Sequence, residues 1–459
     1  MSLSIEVEHF ETDVLIVGGG AAATMAAFEC AIAGVKTIQV TKGRATSGTT
    51  TVARGGFAAA MGKDDSPAQH LEDILKYGGE LIDPEMARAW CEDIVQIVKD
   101  LEEWGAEFIR GEDGELDLKM FPNHSHPRAC HHYDTTGNMV TKVLSKRLRG
   151  DDRIEKHSLT AIVDLVKHEG RVVGAWGVDY RNAKLVIYTA QQVILATGGG
   201  SGLFYVNDNP PQVTGDGYVM GFRAGADLLG IEMIDFQAMC CSPEELFGFA
   251  PHPTGFINAG AVFRNEDGEE FLKRYFPDTA EKSSRSEVIL AMAKEIHAGR
   301  AGSTGGIYMD ATAIPIETIQ KQIPHVYKTC LHRGIDITKT PLEVAPGSHT
   351  WLGGLDVDTY GQSSIPGLFA AGETAGGIHG GNRIGGSALA ASLAFGRRAG
   401  RKAAELVGSE PVSVPTLGDN AIPEAEREWL AGLMERTDGP FQGDVRMHCR
   451  MLAHDKLGP

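Results

Sequence analysis

Residues Asp13 to Ala33 read DVLIVGGGAAATMAAFECAIA, and this stretch decides the fold. A short apolar run typical of a buried strand comes first, and three glycines separate it from an alanine-rich segment with helical spacing. Gly18 permits a tight turn, Gly20 lets the backbone approach a phosphate, and Ala23 still fits between helix and strand. The helix N-terminus favours a bound anion. The pattern is typical of half a dinucleotide-binding unit, with an ordinary strand–turn–helix as the alternative.

The second strand lacks the acid that is expected at a ribose site. Residues Val35 to Val40 form this strand, and ordinary NAD or FAD sites end it with Asp or Glu, which holds a ribose hydroxyl. Here the chain continues with Thr41 and Lys42. The sequence therefore indicates either a degenerate nucleotide site or a subfamily that holds the ribose differently.

Composition restricts the class of protein. With 459 residues the chain is long enough for two or three domains. Its net charge of −18 argues against nucleic-acid binding, and no apolar run is long enough to span a bilayer. We expect no secretory signal, because the first residues lack a basic region and a long apolar run. Seven cysteines without a C-x-x-C pair predict a cytoplasmic protein with no disulfide framework, metal or iron–sulfur cluster of its own.

Several segments combine glycines with hydroxyl-bearing or acidic residues. The segment Ser47 to Ala60 suits contact with a flat ring system, although a flexible surface loop is the alternative. Strand patterns from Leu159 to Ala196 predict a β-meander of four strands that returns to the main sheet and ends at Thr197 to Gly200. In the element Thr214 to Gly217, Asp216 would accept a hydrogen bond from a ribityl hydroxyl or cap a helix.

Other segments predict helices and a polar cluster. Residues 67 to 105 have apolar positions at helical spacing, and Asp134 to Gly137 would cap a helix from Asn138 to Leu148. Four histidines lie between His124 and His132, but they lack the regular spacing of metal ligands. Polar packing near a pocket is therefore favoured over a metal site.

The motifs occur in the order of a known family. From about residue 11 to about residue 405 the sequence resembles the flavoprotein subunits of succinate dehydrogenase and fumarate reductase, a family that includes L-aspartate oxidase. The strongest matches are PGLFAAGE at Pro366 to Glu373 and HGGNRIGGSAL at His379 to Leu389. The pair Thr41-Lys42 resembles the family's Ser-Lys, which accounts for the missing acid. His349 to Gly354 resembles its His-x-x-Met-Gly-Gly.

The resemblance implies an FAD site. Glu373 would bind the ribose of FAD, and Ser387 and Leu389 would hold the flavin through backbone and hydroxyl contacts. The full set of residues expected at the cofactor is Gly18, Gly20, Ala21, Ala22, Thr41, Lys42, Gly48, Thr49, Thr50, Gly55, Gly56, Ala161, Thr197, Gly198, Asp216, Gly372, Glu373, Arg383, Ser387 and Leu389.

The resemblance also implies three catalytic residues. Arg383 would face both flavin and substrate carboxylate, and His349 would hold the other end of the substrate. Arg285 lies where the family carries its proton-transferring arginine. Arginine is a poor acid with its ordinary pKa, so neighbouring groups would have to steer the proton. The structural alternative for Arg285 is a salt bridge to Glu281 or Glu287.

Three departures from the family pattern narrow these expectations. Residues Gly48 to Thr51 lack the histidine that carries covalent flavin, so FAD should be bound non-covalently. The family's Phe-His-Pro-Thr is replaced by FQAMCC at Phe236 to Cys241, and His252 to Gly255 repeats part of it in a shifted register. The dicarboxylate-binding Thr-Glu element is not recognisable. Met239 to Cys241 would therefore form a less polar wall that rejects a second carboxylate, and the protein would have weak activity on succinate and fumarate. The alternative is that His252 and Thr254 restore the binding of the second carboxylate.

The predicted fold is a doubly wound, Rossmann-type α/β FAD domain from 1–240 and 349–410. An inserted α+β capping domain covers 241–348, and 411–459 begins a C-terminal helical extension. The predicted function is oxidation or reduction of a C–C bond next to the carboxylate of a small acid, with hydride exchanged at flavin N5. Electrons would pass to an iron–sulfur partner subunit, through which the chain could associate with a membrane without inserting into it. The alternatives are an L-aspartate-oxidase-like enzyme that uses oxygen or fumarate, and an electron-entry subunit for a non-dicarboxylate acid.

Overall fold

The computed structural model describes residues 5–44, 48–121, 123–133, 135–251, 253–409, 412–436 and 438–458. The chain divides into two compact units, each of three segments. These are Met1–Gly200, Gln212–Met233 and Trp351–Phe441 in the first unit, and Ser201–Pro211, Ile234–Thr350 and Gln442–Pro459 in the second. The domain limits given above stay predictions.

Strands and helices alternate through much of the chain. In chain order the strands are β1 (Val7–Val17), β2 (Thr37–Thr41), β3 (Phe57–Ala58), β4 (Ala129–Cys130), β5 (Ile154–Ser158), β6 (Thr160–His168), β7 (Arg171–Asp179), β8 (Lys184–Leu195), β9 (Leu228–Leu229), β10 (Ile234–Cys241), β11 (Val262–Arg264), β12 (Ile307–Asp310), β13 (Leu342–Trp351), β14 (Gly354–Leu355) and β15 (Leu368–Ala370). The helices are α1 (Ala21–Ile32), α2 (Thr49–Val52), α3 (Pro67–Gly78), α4 (Pro84–Glu103), α5 (Thr136–Arg147), α6 (Asp216–Ala224), α7 (Pro253–Ala259), α8 (Phe271–Tyr275), α9 (Arg285–His297), α10 (Ile316–Gln322), α11 (Pro324–His332), α12 (Ser387–Ser409), α13 (Glu424–Glu435) and α14 (Gln442–Leu457).

A seven-stranded sheet forms the centre of the first unit. Its order is β5-β2-β1-β8-β7-β6, and β15 pairs with β8. β1 lies parallel to both β2 and β8, whereas β8, β7 and β6 form the antiparallel meander. Residues Val14 to Val17 are buried, as expected for a parallel strand that is covered on both faces. This is the doubly wound α/β arrangement that the sequence predicts.

Two strands are longer than the sequence patterns indicated. β1 begins at Val7, seven residues before Val14, where the apolar run that predicted the strand starts. The two strands predicted at Leu185 to Tyr188 and Val193 to Ala196 are one strand, β8. The polar residues between them suggested a break, but Gln192 is buried, and the hydroxyl of Thr189 accepts a hydrogen bond from the backbone. A polar side chain with a backbone partner, such as Thr189, can continue a strand through a core.

The helix predicted over 67 to 105 is two helices. A 3-10 turn at Gly79–Leu81 separates α3 from α4, and Gly79 has a φ of 71°, which favours glycine. Asp83 caps α4 by accepting from the N–H of Glu85 at 2.8 Å. α5 begins at Thr136, two residues before the predicted start, and Asp134 of its predicted cap lies outside the described residues.

The second unit contains a four-stranded sheet in the order β10-β13-β12-β11. Helices α7 to α11 accompany it in the sequence, so the segment is α+β as predicted. Its core includes one fully buried carboxylate, Glu295, which accepts hydrogen bonds from Arg274, Arg300 and Tyr275. None of the described helices is long and apolar enough to cross a membrane.

Candidate active site

The glycine-rich turn after β1 leaves the N-terminus of α1 without a side-chain cap. Gly20 precedes the helix in an extended conformation and makes no capping hydrogen bond. Gly18 has a φ of 139°, and a Cβ there would lie 2.1 Å from the carbonyl oxygen of Ala196. Any side chain at Gly18 would therefore separate β1 from the end of β8. The N-terminus of a helix that follows such a turn suits a phosphate group.

A short helix, α2, lies against this turn. The N–H of Ala21 donates to Thr50 Oγ1 at 3.0 Å, and Gly48 lies close to Gly20. Thr49 is the first residue of α2. The segment predicted as a loop thus forms α2 and β3, although Ser47 lies outside the described residues.

The glycine pair Gly55-Gly56 connects α2 to β3. Gly56 has a φ of 91°, and a Cβ there would lie 2.7 Å from the carbonyl oxygen of Cys130. Beyond it, the N–H of Ala58 donates to the carbonyl oxygen of Gly386 at 3.1 Å. This bond places the glycine pair near the start of α12, where the predicted flavin-binding residues lie.

Ser387 begins α12 with a hydroxyl that fits a bound cofactor. Its side chain is 1% exposed, and Oγ has no hydrogen-bond partner among the described residues. Leaving a buried hydroxyl unpaired costs about 1–3 kcal/mol, and a bound group that hydrogen-bonds to it would offset that cost. Leu389 lies two residues further along α12 and is buried in the core. Together with the glycine-rich start of α1, this hydroxyl fits the predicted FAD site.

The end of β2 is tied to the start of α6. Lys42 Nζ lies 2.5 Å from Asp216 Oδ2 and 2.7 Å from Thr214 Oγ1. Asp216 does not cap α6, because Gly215 holds that position without a side-chain bond. The capping alternative for Asp216 is therefore wrong. Its carboxylate is instead held by Lys42, which follows Thr41 at the point where an acid was expected.

Two further residues predicted at the cofactor, Ala161 and Thr197, lie near the ends of strands. The N–H of Leu159 donates to the carbonyl oxygen of Gly43, so Ala161 at the start of β6 lies near the end of β2. The hydroxyl of Thr197 accepts from the N–H of Gly217 at 3.1 Å. The structure thus brings the segments around Gly43, Ala161 and Thr197 to strand ends of the same sheet.

Glu373 lies in a 3-10 turn, Gly372–Thr374, after β15. Its Oε1 accepts from the N–H of Trp351 at 2.8 Å, and its carbonyl oxygen accepts from the hydroxyl of Tyr218 at 2.7 Å. The Tyr218 and Trp351 rings stack with centroids 5.5 Å apart. Thr374 Oγ1 accepts from the N–H of Gly198 at 3.1 Å. The residues predicted from the sequence do not include Tyr218, Trp351 and Thr374, although each adjoins a glycine motif.

Arg383 lies in the loop before α12 and is 7% exposed. The neighbouring His379 is also buried, and burial followed by the charge of Arg383 lowers the pKa of His379 to about 3. His379 is therefore neutral at physiological pH, so Arg383 carries the positive charge of this loop.

Arg285 is the first residue of α9 in the second unit. Its Nη2 donates to Asp235 Oδ2 at 2.6 Å, and the two side chains are 26% and 9% exposed. The structural alternative of a bond to Glu281 or Glu287 named the wrong partners. Glu287 forms a capping box with Ser284, and Glu281 accepts from a backbone N–H of β11.

His349 lies in β13 of the second unit, and its Nδ1 is 2.7 Å from Asp208 Oδ2. This carboxylate was not predicted from the sequence. The segment Asn207-Asp208-Asn209 carried no recognised motif, and the pair is 141 residues apart.

Met239, Cys240 and Cys241 do not provide the predicted less polar wall. All three side chains are fully buried in β10. A Cβ on Gly347 would lie 2.4 Å from Cys240 Sγ, so this thiol packs under β13. Burial raises the pKa of Cys240, which keeps the thiol protonated. His252 and the side chain of Thr254 lie outside the described residues.

The histidine-rich segment surrounds a buried arginine. Arg128 is fully buried and binds Asp65 through two nitrogens and Asp73 through a third. His124 bonds to the carbonyl oxygen of Gly385 at 2.9 Å, two residues before Ser387, and burial lowers its pKa. Among the described residues no group of three or more His, Cys, Asp or Glu side chains could hold a metal ion.

Comparison with known proteins identifies a family and relatives. A family model described as "FAD binding domain" matches residues 13–389. The chain is 37% identical over 421 residues to one of the subunits of the fumarate reductase (CoM/CoB) of Methanothermobacter marburgensis, covering 87% of this chain and 74% of the relative. It is 32% identical over 389 residues to an L-aspartate oxidase of Synechocystis sp., with 83% and 69% covered.

Solved structures show the same fold. The structure named "Mycobacterium smegmatis Sdh1 in complex with UQ1" superposes with a TM-score of 0.87 and 32% sequence identity. The match covers 98% of this chain and 78% of that one.

Proposed function

The chain belongs to the family of FAD-binding flavoproteins that includes fumarate reductase subunits and L-aspartate oxidase, and from this premise we propose its reaction. It is an FAD-dependent oxidoreductase, and the proposed reaction is oxidation or reduction of the C–C bond next to a carboxylate. The observation that carries the proposal is a buried guanidinium, Arg383, four residues before the unpartnered hydroxyl of Ser387. That spacing puts a group able to bind a carboxylate on the loop that leads into α12, which begins with the residue proposed to hold the flavin.

Bound FAD supplies the two-electron exchange with the substrate. The guanidinium of Arg383 matches the two oxygens of a carboxylate and would stabilise charge that develops at the adjacent carbon. The remaining residues proposed for the cofactor are those of the first unit given above. Non-covalent binding is proposed because Gly48 to Thr51 contain no histidine.

Arg285 is proposed to exchange the proton at the neighbouring carbon. A guanidinium has a high ordinary pKa, so it needs a partner that fixes its orientation and can steer a proton. Asp235 is such a partner, at 2.6 Å from Nη2. His349 is proposed to hold the substrate, with Asp208 on the far side of its ring.

A partner subunit is proposed as the route for electrons. The relative from M. marburgensis is named as one subunit of its enzyme, which supports an assembly of more than one chain. Apart from the adjacent pair Cys240-Cys241, the cysteines of this chain lie far apart in the sequence, and six of the seven are buried. An iron–sulfur partner would therefore supply the cluster, because clusters require grouped thiolates.

Fumarate and succinate are the first candidate substrates. The 37% identical relative is named as part of a fumarate reductase, and the fully buried Met239, Cys240 and Cys241 do not support a wall that rejects a second carboxylate. Oxidation of L-aspartate is the second candidate, because another relative is named an L-aspartate oxidase.

Steady-state assays on the FAD-loaded chain test the proposal. We expect reduced viologen to be oxidised when fumarate is added without oxygen, since a dye replaces the electron-transfer partner. The same preparation should turn over slowly with L-aspartate and oxygen. Rapid oxygen consumption with L-aspartate and no reaction with fumarate would instead establish the oxidase.

A further inference from the structure

A carboxylate outside the predicted set lies against the ring of His349. Asp208 Oδ2 is 2.7 Å from His349 Nδ1, and the two side chains are 13% and 27% exposed. The second oxygen, Oδ1, accepts from the side-chain N–H of Asn209 at 2.9 Å. Both oxygens of the carboxylate therefore have donors, and its orientation is fixed from two directions.

The backbone on both sides of this pair is also fixed. The N–H of Ser348 donates to the carbonyl oxygen of Val206 at 3.0 Å, and the residues Asn207 and Ser348 form a parallel bridge. Asn209 donates to the carbonyl oxygen of His349 at 2.7 Å. The segment that carries Asp208 is thus attached to β13 immediately next to His349. The position of Asp208 relative to His349 is therefore held by these bonds as well as by the contact between the two side chains.

The chemistry of the pair determines which ring nitrogen remains for a ligand. An ionised carboxylate only accepts hydrogen bonds, so Nδ1 must carry a proton and donate a hydrogen bond to Asp208. In the described part of the chain, Nε2 has no hydrogen-bond partner. When the ring carries two protons, it donates from Nδ1 to Asp208 and from Nε2 to a ligand carboxylate. The charge of Asp208 then balances the charge of the ring.

We infer that Asp208 is a positioning residue, which holds a proton on Nδ1 of His349, fixes the orientation of the ring and balances the charge of its doubly protonated form, so that the N–H of Nε2 donates to the carboxylate of the substrate. The inference rests on the proposed function, in which His349 touches the substrate. It predicts that removal of Asp208 weakens substrate binding while leaving FAD binding intact, because FAD is assigned to residues of the first unit.

Kinetics of three variants test the inference. Asp208→Ala should lower kcat/KM for fumarate by about 10- to 100-fold, the scale of a lost hydrogen bond to a charged group. The loss should appear mainly as a higher KM, since the histidine binds the substrate before and during reaction. Asp208→Asn should lose less, because its amide oxygen still accepts from Nδ1. Asp419→Asn, which removes the carboxylate 2.8 Å from His9, is the matched control and should leave kcat/KM unchanged.

A purely structural role gives a different result. It would lower the fraction of folded, FAD-loaded protein and hence kcat per chain, with KM unchanged, and that outcome would overturn the inference. Asp208→Asn keeps the size of the side chain, so it remains a test if Asp208→Ala does not fold. Kinetics for Asp208→Asn and Asp208→Ala equal to those of the wild type would also overturn the inference.

A second readout does not depend on turnover. In protein labelled with ¹⁵N-histidine, the signal lost in His349→Gln identifies His349, and its shifts report which nitrogen carries the proton. We expect protonated Nδ1 in the wild type and in Asp419→Asn, and a changed signal in Asp208→Ala. An unchanged signal in Asp208→Ala would overturn the inference. A wild type that turns over no acid would refute the proposed function alone, and this signal would still decide whether Asp208 fixes the ring.

Discussion

The ion pair between Arg285 and Asp235 allows the structural and catalytic roles of an arginine to be separated. Arg285→Ala leaves the carboxylate of Asp235, which is 9% exposed, without the guanidinium at 2.6 Å. A hydrogen bond between charged groups contributes about 1.5–3 kcal/mol, and the partial exposure of Arg285 places the expected loss toward the lower end. Asp235→Asn in the same protein removes the charge that has lost this guanidinium and should recover part of this stability.

Turnover should respond differently from stability. Loss of a general acid or base typically lowers the rate about 10²–10⁴-fold, which corresponds to about 2.7–5.4 kcal/mol of activation free energy. We therefore expect Arg285→Ala and the Arg285→Ala/Asp235→Asn double variant to share this loss, despite their different stabilities. Both should retain FAD, because Arg285 belongs to the second unit.

Denaturant unfolding, flavin content and the viologen assay measure the three quantities. Arg264→Ala is the matched control, because Arg264 bonds to Asp310 in the same unit at 3.0 Å. This control should lose stability and keep its turnover. Near-wild-type turnover in the stabilised double variant would refute the reasoning and leave Arg285 with a structural role only.

Three further outcomes are expected. Acid precipitation should release the flavin into the supernatant, since Gly48 to Thr51 contain no histidine, and flavin absorbance in the pellet would refute non-covalent binding. His379→Gln should make the unfolding free energy less dependent on pH. The His379 pKa is about 3 in the folded protein and 6.5 without perturbation, so the unfolded chain binds the proton first and stability falls as pH drops from 6.5 toward 3. Equal slopes in denaturant titrations over that range would contradict this. Glu295→Gln should cost about 1.5–3 kcal/mol of stability without loss of FAD, because it weakens the buried bonds to Arg274 and Arg300. Flavin content that falls with stability would show that the carboxylate also supports the cofactor site.

Local patterns predicted the features that depend on short stretches of chain. The strand, glycine turn and helix from Asp13 to Ala33 form as expected, because the spacing of buried residues and glycines determines them directly. The boundary between α3 and α4 could have been found from Asp83-Pro84, a capping residue followed by proline. The break predicted inside β8 was wrong because burial of Gln192 depends on its neighbours in the sheet.

Pairings between distant residues could not be predicted in the same way. The partners of Arg285 and His349 lie 50 and 141 residues away, and nearby acids such as Glu287 were equally plausible from the sequence. The burial of Cys240 likewise depends on the close approach of β10 to Gly347. These contacts are set by the packing of strands, which a single sequence does not encode as a local signal.

Anaerobic mixing of the reduced, FAD-loaded chain with fumarate tests the central claim most directly. Stopped-flow absorbance follows the return of the flavin to its oxidised form, and product analysis measures the succinate formed. The proposed reaction predicts rapid oxidation of the flavin with one succinate for each flavin. Flavin that stays reduced with fumarate and with unsaturated monocarboxylic acids, yet is oxidised by a higher-potential dye such as dichlorophenolindophenol, would contradict the claim.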